Sequence, residues 1–410
     1  MSFAKRQWEK EMERGWSSVG NKHVCAKCFG DYAIRDFILD SAISRKCDYC
    51  GRKSKTPIAA EMDDVLELID DGIHREYESP EDNLPYDSSE GGWQLVEPQE
   101  GYDLIPDLEL GITSESLLNA IANAFIGTQW VQRNPLSLTE SDALRFTWES
   151  FCEQIKHQTR YVFYKTMSDK SDMEELRHAE PYEILETIGN LIVKFDMISI
   201  LRADTRIVRA RQHKRNERFS KAADLGPPPR ERASQSRMSP AGIPMFYGSD
   251  TEQTAFIETV NLTNPENGFV TFGTFRTTKI LRLLDLTCLP DIPSLFDEAR
   301  AHDRAPLIFL RGFTKDSVKP VTRDGREHYE YVPTQVVAEY FRHVFRTSDG
   351  EQLNGIKFPS SRRSGGVCYS LFCSAEGCAD LPAKSDKTLC LRSVRRYRIN
   401  FKANTFRNAP

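Results

Sequence analysis

Two groups of side chains in this sequence have the types and spacing to do chemistry. The first is a pair of CxxC motifs, HVCAKCFG and KCDYCGRK, which set Cys25 with Cys28 and Cys47 with Cys50 across an eighteen-residue gap. Each motif offers two thiolates from one tight turn, and Gly51 suits the backbone behind the second. Four thiolates close a tetrahedral shell around a zinc ion and leave no position for water. The expected role of Zn2+ here is therefore structural, replacing a hydrophobic core in a segment too small to have one. Lys22, Lys27, Arg45, Lys46, Arg52, Lys53 and Lys55 keep a second reading open, a zinc ribbon that touches nucleic acid or a partner.

The second group lies after residue 200. IVRARQ alternates as a strand and sets Arg209 and Arg211 on one face. The stretch SRMSPAGIPMFYGSDTEQTAFIE then carries Arg237, Tyr247 and Glu258 through a turn, a short strand and a helix start. Ser249 and Glu252 read as a capping box, and Glu258 shares a helical stripe with the slim Thr254 and Thr251. Two neighbouring guanidinium groups can grip a pyrophosphate, because the planar fork matches phosphate oxygens and stays charged. Neither GxGxxG nor GxxxxGK[ST] occurs in this region, which argues against a hydride-transfer Rossmann site and a P-loop.

The elements that must position these groups follow from periodicity. Ile58, Met62, Val65, Leu66 and Ile69 mark a helical face behind Pro57, and ESPEDNLPYDSSEGGW reads as a linker or long loop. Helical patterns recur over 114–132, over 139–167 with the capping pair Thr139 and Asp142, and over 181–200. In the last, Ile184, Leu185, Ile188, Leu191, Ile192 and Phe195 form one apolar face behind Pro181. Strand-like runs then dominate, at RIVRARQ, PMFYG, GFVTFGTFRTTKILRLLDL, APLIFLRGF, GIKFPS, GVCYSLF and LCLRSVRRYRINF, with helices expected over 250–260, 293–302 and 333–346. The fold class expected is α+β: a zinc-ribbon segment over 1–56, an all-α domain over 57–200 and a mixed α/β domain over 201–410.

Composition sets the frame. The 410 residues are 39% apolar with five Trp and 23 Phe, too rich in large side chains for a disordered chain. A net charge of -5 from 55 basic and 60 acidic residues gives no global positive field to draw nucleic acid or membrane. No apolar run reaches the roughly 18 residues of a spanning helix, and MSFAKRQWEKEMERGW has no signal-peptide core, so a cytoplasmic protein without a membrane partner is expected. Four of the ten cysteines sit in the metal pattern and six are scattered, so no disulfide framework is expected.

The C-terminal residues resemble the RES domain, named for its Arg, Glu and Ser. IVRARQ, RMSPAGIPMFYGSDTEQTAFIE, VPTQVVAEYF and GIKFPSS follow that family's order over roughly half the chain. The resemblance implies that the family Arg is Arg209, with Arg211 as rival, the Glu is Glu258 and the Ser is Ser360, with an additional Tyr at Tyr247. Around Arg237 this chain reads SRMSPAG where family members often have GRxNPxG. RES proteins are similar to the ADP-ribosyltransferase fold, and characterised members are toxins that destroy NAD and are restrained by an Xre-type antitoxin. The early CxxC region resembles the HEPN/RES N-terminal domain that precedes some RES domains.

That resemblance implies cleavage of the nicotinamide–ribose bond of NAD+. Nicotinamide leaves as a neutral ring, so the barrier is charge on the ribose, which a carboxylate on the ribose hydroxyls steadies. This is the role expected of Glu258, with Tyr247 stacking on or flanking nicotinamide, Arg209 or Arg211 holding the pyrophosphate, Arg237 a further cofactor-binding residue, and Ser360 donating to a phosphate or the amide. Water or phosphate is the expected acceptor, within a toxin–antitoxin pair or anti-phage defence. Transfer of ADP-ribose to protein or nucleic acid is the alternative, and a zinc-ribbon binding module with an inert C-terminal domain is a third reading. An Xre-type antitoxin or other inhibitor and an oligomer are compatible partners. The HEPN resemblance could imply RNA cleavage, which needs an Arg and a later His on one helix with about four to six residues between them. Only Arg206 with His213 and Arg323 with His328 have that spacing, both in the C-terminal half, so RNA cleavage is not assigned.

Overall fold

The computed structural model describes residues 14–165, 180–320, 325–382 and 386–408. Two compact units divide it: the described residues up to Asp142 with Asp291–Ile308, and those of Ala143–Pro290 with Phe309–Pro410. The opening charged stretch to residue 13, the end of the 139–167 pattern and Arg323 lie outside the described residues.

In the first unit β1 (His23–Cys25) pairs antiparallel with β2 (Ala59–Glu61). Helices Tyr32–Asp40 and Met62–Glu76 share one core with Val24, Ile34, Ile38, Val65, Leu66, Ile69 and Ile73, all fully buried. Pro57 does not begin the second helix. Ile58 and Ala59 donate their N–H groups to Ser44 O, which draws this segment into extended pairing, and Glu61 flanks the helix start instead. The segment Asp291–Ile308 belongs to this unit because Phe296 fills the place a side chain at Gly72 would take, 2.3 Å from its Cβ position, and Arg75 donates to Leu295 O at 2.6 Å. The helix expected over 293–302 is reduced to a 3-10 turn at Glu298–Asp303, capped by Asp297.

Short strands join these helices: β3 (Tyr77–Glu78), the hairpin of β4 (Tyr86–Asp87) and β5 (Gly92–Trp93), β6 (Gln99–Glu100) and β7 (Gln129–Gln132). The region read as all-α is helical in its core, and strands this short carry too little alternation to register in a sequence. The pattern over 114–132 accordingly splits into a helix, Glu115–Ala124, and β7, with Gly127 at φ +81° turning the chain between them.

The second unit is built on a mixed sheet of ten strands: β8 (Ile198–Leu201), β9 (Arg206–His213), β10 (Phe246–Ser249), β11 (Phe269–Thr277), β12 (Leu281–Asp285), β13 (Gly355–Pro359), β14 (Val367–Leu371), β15 (Cys378–Asp380), β16 (Leu389–Asn400) and β17 (Thr405–Asn408). The order is β15-β16-β11-β9-β10-β14-β13-β12-β8, with β17 on β16, and the β12–β13 and β15–β16 pairs are parallel. Alternation in β9 gives the sheet two apolar faces. Val208 and Ala210 pack with Ala255 and Phe256 of the helix Glu252–Thr259, while Ile207 joins Phe246, Phe275 and Leu391 on the other side.

One run read as a strand is a helix. APLIFLRGF lies within the helix Arg304–Val318. Its buried positions include Leu307, Leu310, Thr314 and Ser317, spaced by three or four, while Ile308 is exposed; the density of apolar residues hides that period in the sequence. The helix start after β10 also differs. Ser249 is a buried strand residue, and Thr251 makes the cap by accepting from Thr254 N at 3.1 Å. Among the described residues no helix is long and apolar enough to cross a membrane.

Candidate functional site

β9 registers with β11 over eight residue pairs but with β10 at only one, Val208 with Ser249. Beyond that pair the two strands fork, and a cleft of about 910 Å³ is lined from both of them. Gly248 permits the close approach before the fork: a Cβ there would meet Ile207 at 2.4 Å.

Arg209 lines this cleft, and its Nη1 donates to Tyr247 O at 3.4 Å across the fork. The guanidinium lies 5.4 Å from the Phe246 ring centroid, and burial pulls its pKa down to about 10, which leaves it charged near neutrality. Arg211 goes elsewhere. It is exposed, donates to Asp224 O at 2.5 Å, covers the Phe219 ring at 4.1 Å and does not line the cleft.

Tyr247 lines the cleft with its hydroxyl held by a loop. Ser236 donates to that oxygen, Met238 N donates at 3.2 Å, and Ser239 Oγ lies 3.1 Å away. The loop is braced in turn by the helix Val332–His343, where Gln335 Nε2 donates to Ser236 O (2.9 Å) and Thr334 Oγ1 to Arg237 O (2.5 Å). Arg237 also lines the cleft, and its Nη1 donates to Lys319 O at 2.6 Å and Ser317 O at 3.3 Å. Burial lowers its pKa, opposed by Tyr331 and by the charge of Glu258.

Glu258 sits in the last turn of the helix Glu252–Thr259 and lines the same cleft. Ser360 Oγ donates to its Oε1 and accepts from Arg363 N (3.0 Å) and Arg362 N (3.3 Å). A hydroxyl has one proton, so in this arrangement Ser360 gives its only donor to the carboxylate. The turn behind Ser360 is tied to the helix by Arg362 Nη1 on Ile257 O (2.9 Å) and Arg363 Nη1 on Thr254 Oγ1 (2.8 Å). Gly366 fits because a Cβ there would meet Thr254 Cγ2 at 2.9 Å.

Arg209, Arg237, Tyr247 and Glu258 are thus brought to one cleft, with Ser360 bound to Glu258 just behind it and Arg211 outside. The sequence reading missed Arg362, Tyr331, Asn261 and Cys368, which also line it. Arg362 directly follows Ser360 and Ser361, and Thr334 and Gln335 stand in VPTQ, but a second layer that supports other side chains has no spacing rule to reveal it. Burial first, then the charge of Glu258, pushes the Cys368 thiol up to about 12, so it is neutral. One carboxylate among arginines and aromatic rings suits a ligand that joins anionic groups, hydroxyls and a flat ring.

Arg206 and His213 both lie on β9, not on a helix, and the buried His213 ring binds Lys214 O and Thr271 Oγ1, each at 2.8 Å. The geometry of a helical Arg–His pair is absent there.

In the first unit the sulfur atoms of Cys25, Cys28, Cys47 and Cys50 lie within 4.8 Å of one another, with Sγ–Sγ distances of 3.5 Å (25–50), 3.7 Å (28–47) and 3.8 Å (25–28). A tetrahedron with metal–sulfur bonds of about 2.3 Å has edges of about 3.8 Å, so the donor set fits a metal ion. Gly51, at φ +70°, donates to Cys47 O and turns the second pair back on itself. All ten cysteines are free thiols.

The family model of HEPN/RES N-terminal domain 1 matches residues 40–169, and that of the RES domain matches residues 206–393. The chain therefore carries these two domains in that order, and RES domains are associated with NAD-related toxin function. No curated protein and no solved structure matches the chain.

Proposed function

We propose that the second unit cleaves the nicotinamide–ribose bond of NAD+ and passes ADP-ribose to water or phosphate, on an ADP-ribosyltransferase-like sheet. The observation that carries this reading is the junction of Ser360 with Glu258, 102 residues apart in sequence, at a cleft shared with Tyr247 and Arg209. Glu258 accepts from ribose hydroxyls and steadies positive charge on the sugar as the neutral nicotinamide departs. Ser360 holds that carboxylate in place, a role that replaces donation to a phosphate or amide. Tyr247, its hydroxyl already engaged, offers its ring to nicotinamide, and Arg209 with Arg237 faces the pyrophosphate.

Transfer to a protein or nucleic acid uses the same site and differs only in the nucleophile. Unchecked, either reaction drains a cell of NAD+, which makes a toxin under an Xre-type antitoxin or other inhibitor, or an anti-phage effector, the setting that fits. The four-cysteine cluster would hold zinc as a structural ion. The purified full-length chain is to be incubated with NAD+ while free nicotinamide is measured, with and without phosphate and candidate acceptors. Release by the wild type and its loss in Glu258→Ala is expected; no release under any acceptor would overturn the proposal.

A further inference from the structure

Two cysteines that the cleft chemistry does not use lie together in the second unit. Cys373 follows β14, Cys378 opens β15, and the 3-10 turn Ala375–Gly377 folds the chain between them so that their Sγ atoms are 3.9 Å apart. The approach is built by a glycine. A Cβ at Gly377 would lie 2.5 Å from Cys373 Sγ, so any larger residue would press on the sulfur and cover it. Cys373 is buried whereas Cys378 is partly exposed, which gives the pair an opening to solvent. As a thiol, Cys373 donates to Ser374 O at 3.3 Å.

From this geometry we infer that Cys373 and Cys378 form a reversible dithiol–disulfide site, oxidised by peroxides. The electrostatics give an order to the step. A hydrogen bond from Cys378 favours the thiolate at Cys373, and against the opposing effect of burial it is helped by Thr388 and by the positive charges of Lys279 and Arg342, while the same bond and burial hold Cys378 protonated. The Cys373 thiolate attacks one peroxide oxygen, forms a sulfenic acid and releases water from hydrogen peroxide; Cys378 then displaces the sulfenic oxygen as a second water. Two thiols and one peroxide give one disulfide and two waters, so electrons and protons balance.

The test is a hydrogen peroxide titration of the full-length protein, with trapping of free thiols and peptide mass mapping. A Cys373–Cys378 cross-link, lighter by two hydrogens and reversed by dithiothreitol, should form about tenfold faster than any oxidised product at the buried Cys368 or Cys390. Cys378→Ser should leave a sulfenic acid at Cys373 that dimedone traps, and Cys373→Ser should leave Cys378 a thiol at the same dose. The inference fails if the exposed Cys288 is oxidised while both residues remain thiols, or if each is oxidised singly without a cross-link. Because mass is the readout, the result stands apart from NAD+ turnover: a cross-link in a protein without turnover supports this site and removes only the proposed function.

Discussion

The four-cysteine cluster and the forked cleft solve opposite problems. The cluster draws all its ligands from Cys25 to Cys50, surrounds one point with four like atoms and closes it. The cleft gathers unlike groups from β9, β10, the loop at 236–239, the helix Glu252–Thr259 and the turn after β13, and keeps about 910 Å³ open. A closed shell of thiolates would gain stability from an ion at its centre, whereas an open cleft leaves charge unsatisfied so that a ligand can complete it. The cluster accordingly needs only short-range turns, while the cleft needs braces such as Gln335 on Ser236 and Ser360 on Glu258.

The sharpest way to break that contrast is to attack one site and read both. Glu258→Gln is expected to lower the rate of nicotinamide release by about 100-fold or more while the circular dichroism spectrum and metal content stay unchanged. A variant that keeps its rate removes Glu258 from the chemistry. Cys47→Ser should do the reverse, losing bound metal and several kcal/mol of stability in the first unit, in keeping with the large binding energies of structural thiolate sites. Metal analysis and thermal unfolding would read it, and full metal content in the variant would contradict the closed shell.

Finer comparisons separate neighbours within the cleft. Arg209→Lys should raise KM for NAD+ by about tenfold, since a point charge replaces a planar fork, while Arg211→Lys, outside the cleft, should change it less than about twofold. Ser360→Ala should lower kcat by roughly tenfold with little change in KM, because it frees Glu258 without removing a phosphate ligand.

The smallest effect concerns stability and pH in the first unit. Burial raises the Asp70 carboxyl to about 7, with Asp71 and Glu67 adding to the shift, and its Oδ1 is buried without a hydrogen-bond partner. Burial also lowers the pKa of His74, whose Nε2 lies 3.7 Å from Asp70 Oδ2, so desolvation works against the charged form of both partners. The folded state binds the Asp70 proton more tightly than the unfolded chain, so stability is full below about pH 4 and is lost as pH rises through about 7. With other groups contributing, the wild type should lose a few degrees of melting temperature between pH 5.5 and 8 relative to Asp70→Asn, as read by differential scanning calorimetry. Parallel pH profiles in the two proteins would remove Asp70 as the cause.

Periodicity in the sequence was enough to place most strands of the second unit and the buried face Met62, Val65, Leu66 and Ile69, because burial on one side imposes its period directly on the residues. It misread APLIFLRGF, where apolar density hid helical spacing, and the cap at Thr251, where Ser249 was equally suitable by type but already committed to the sheet.

By itself the sequence determined the cysteine cluster and the alphabet of the cleft: the CxxC spacing sets a local turn, and Arg, Tyr, Glu and Ser stand in a readable order. Only the tertiary structure set Arg209 in the cleft and Arg211 outside it, since the two share a strand face and differ in what lies across from them, Tyr247 O at the fork or Asp224 O beyond it. It also decided that the hydroxyl of Ser360 serves Glu258. Contacts between residues so far apart in the chain depend on how strands diverge and turns dock, which no local pattern of side chains encodes.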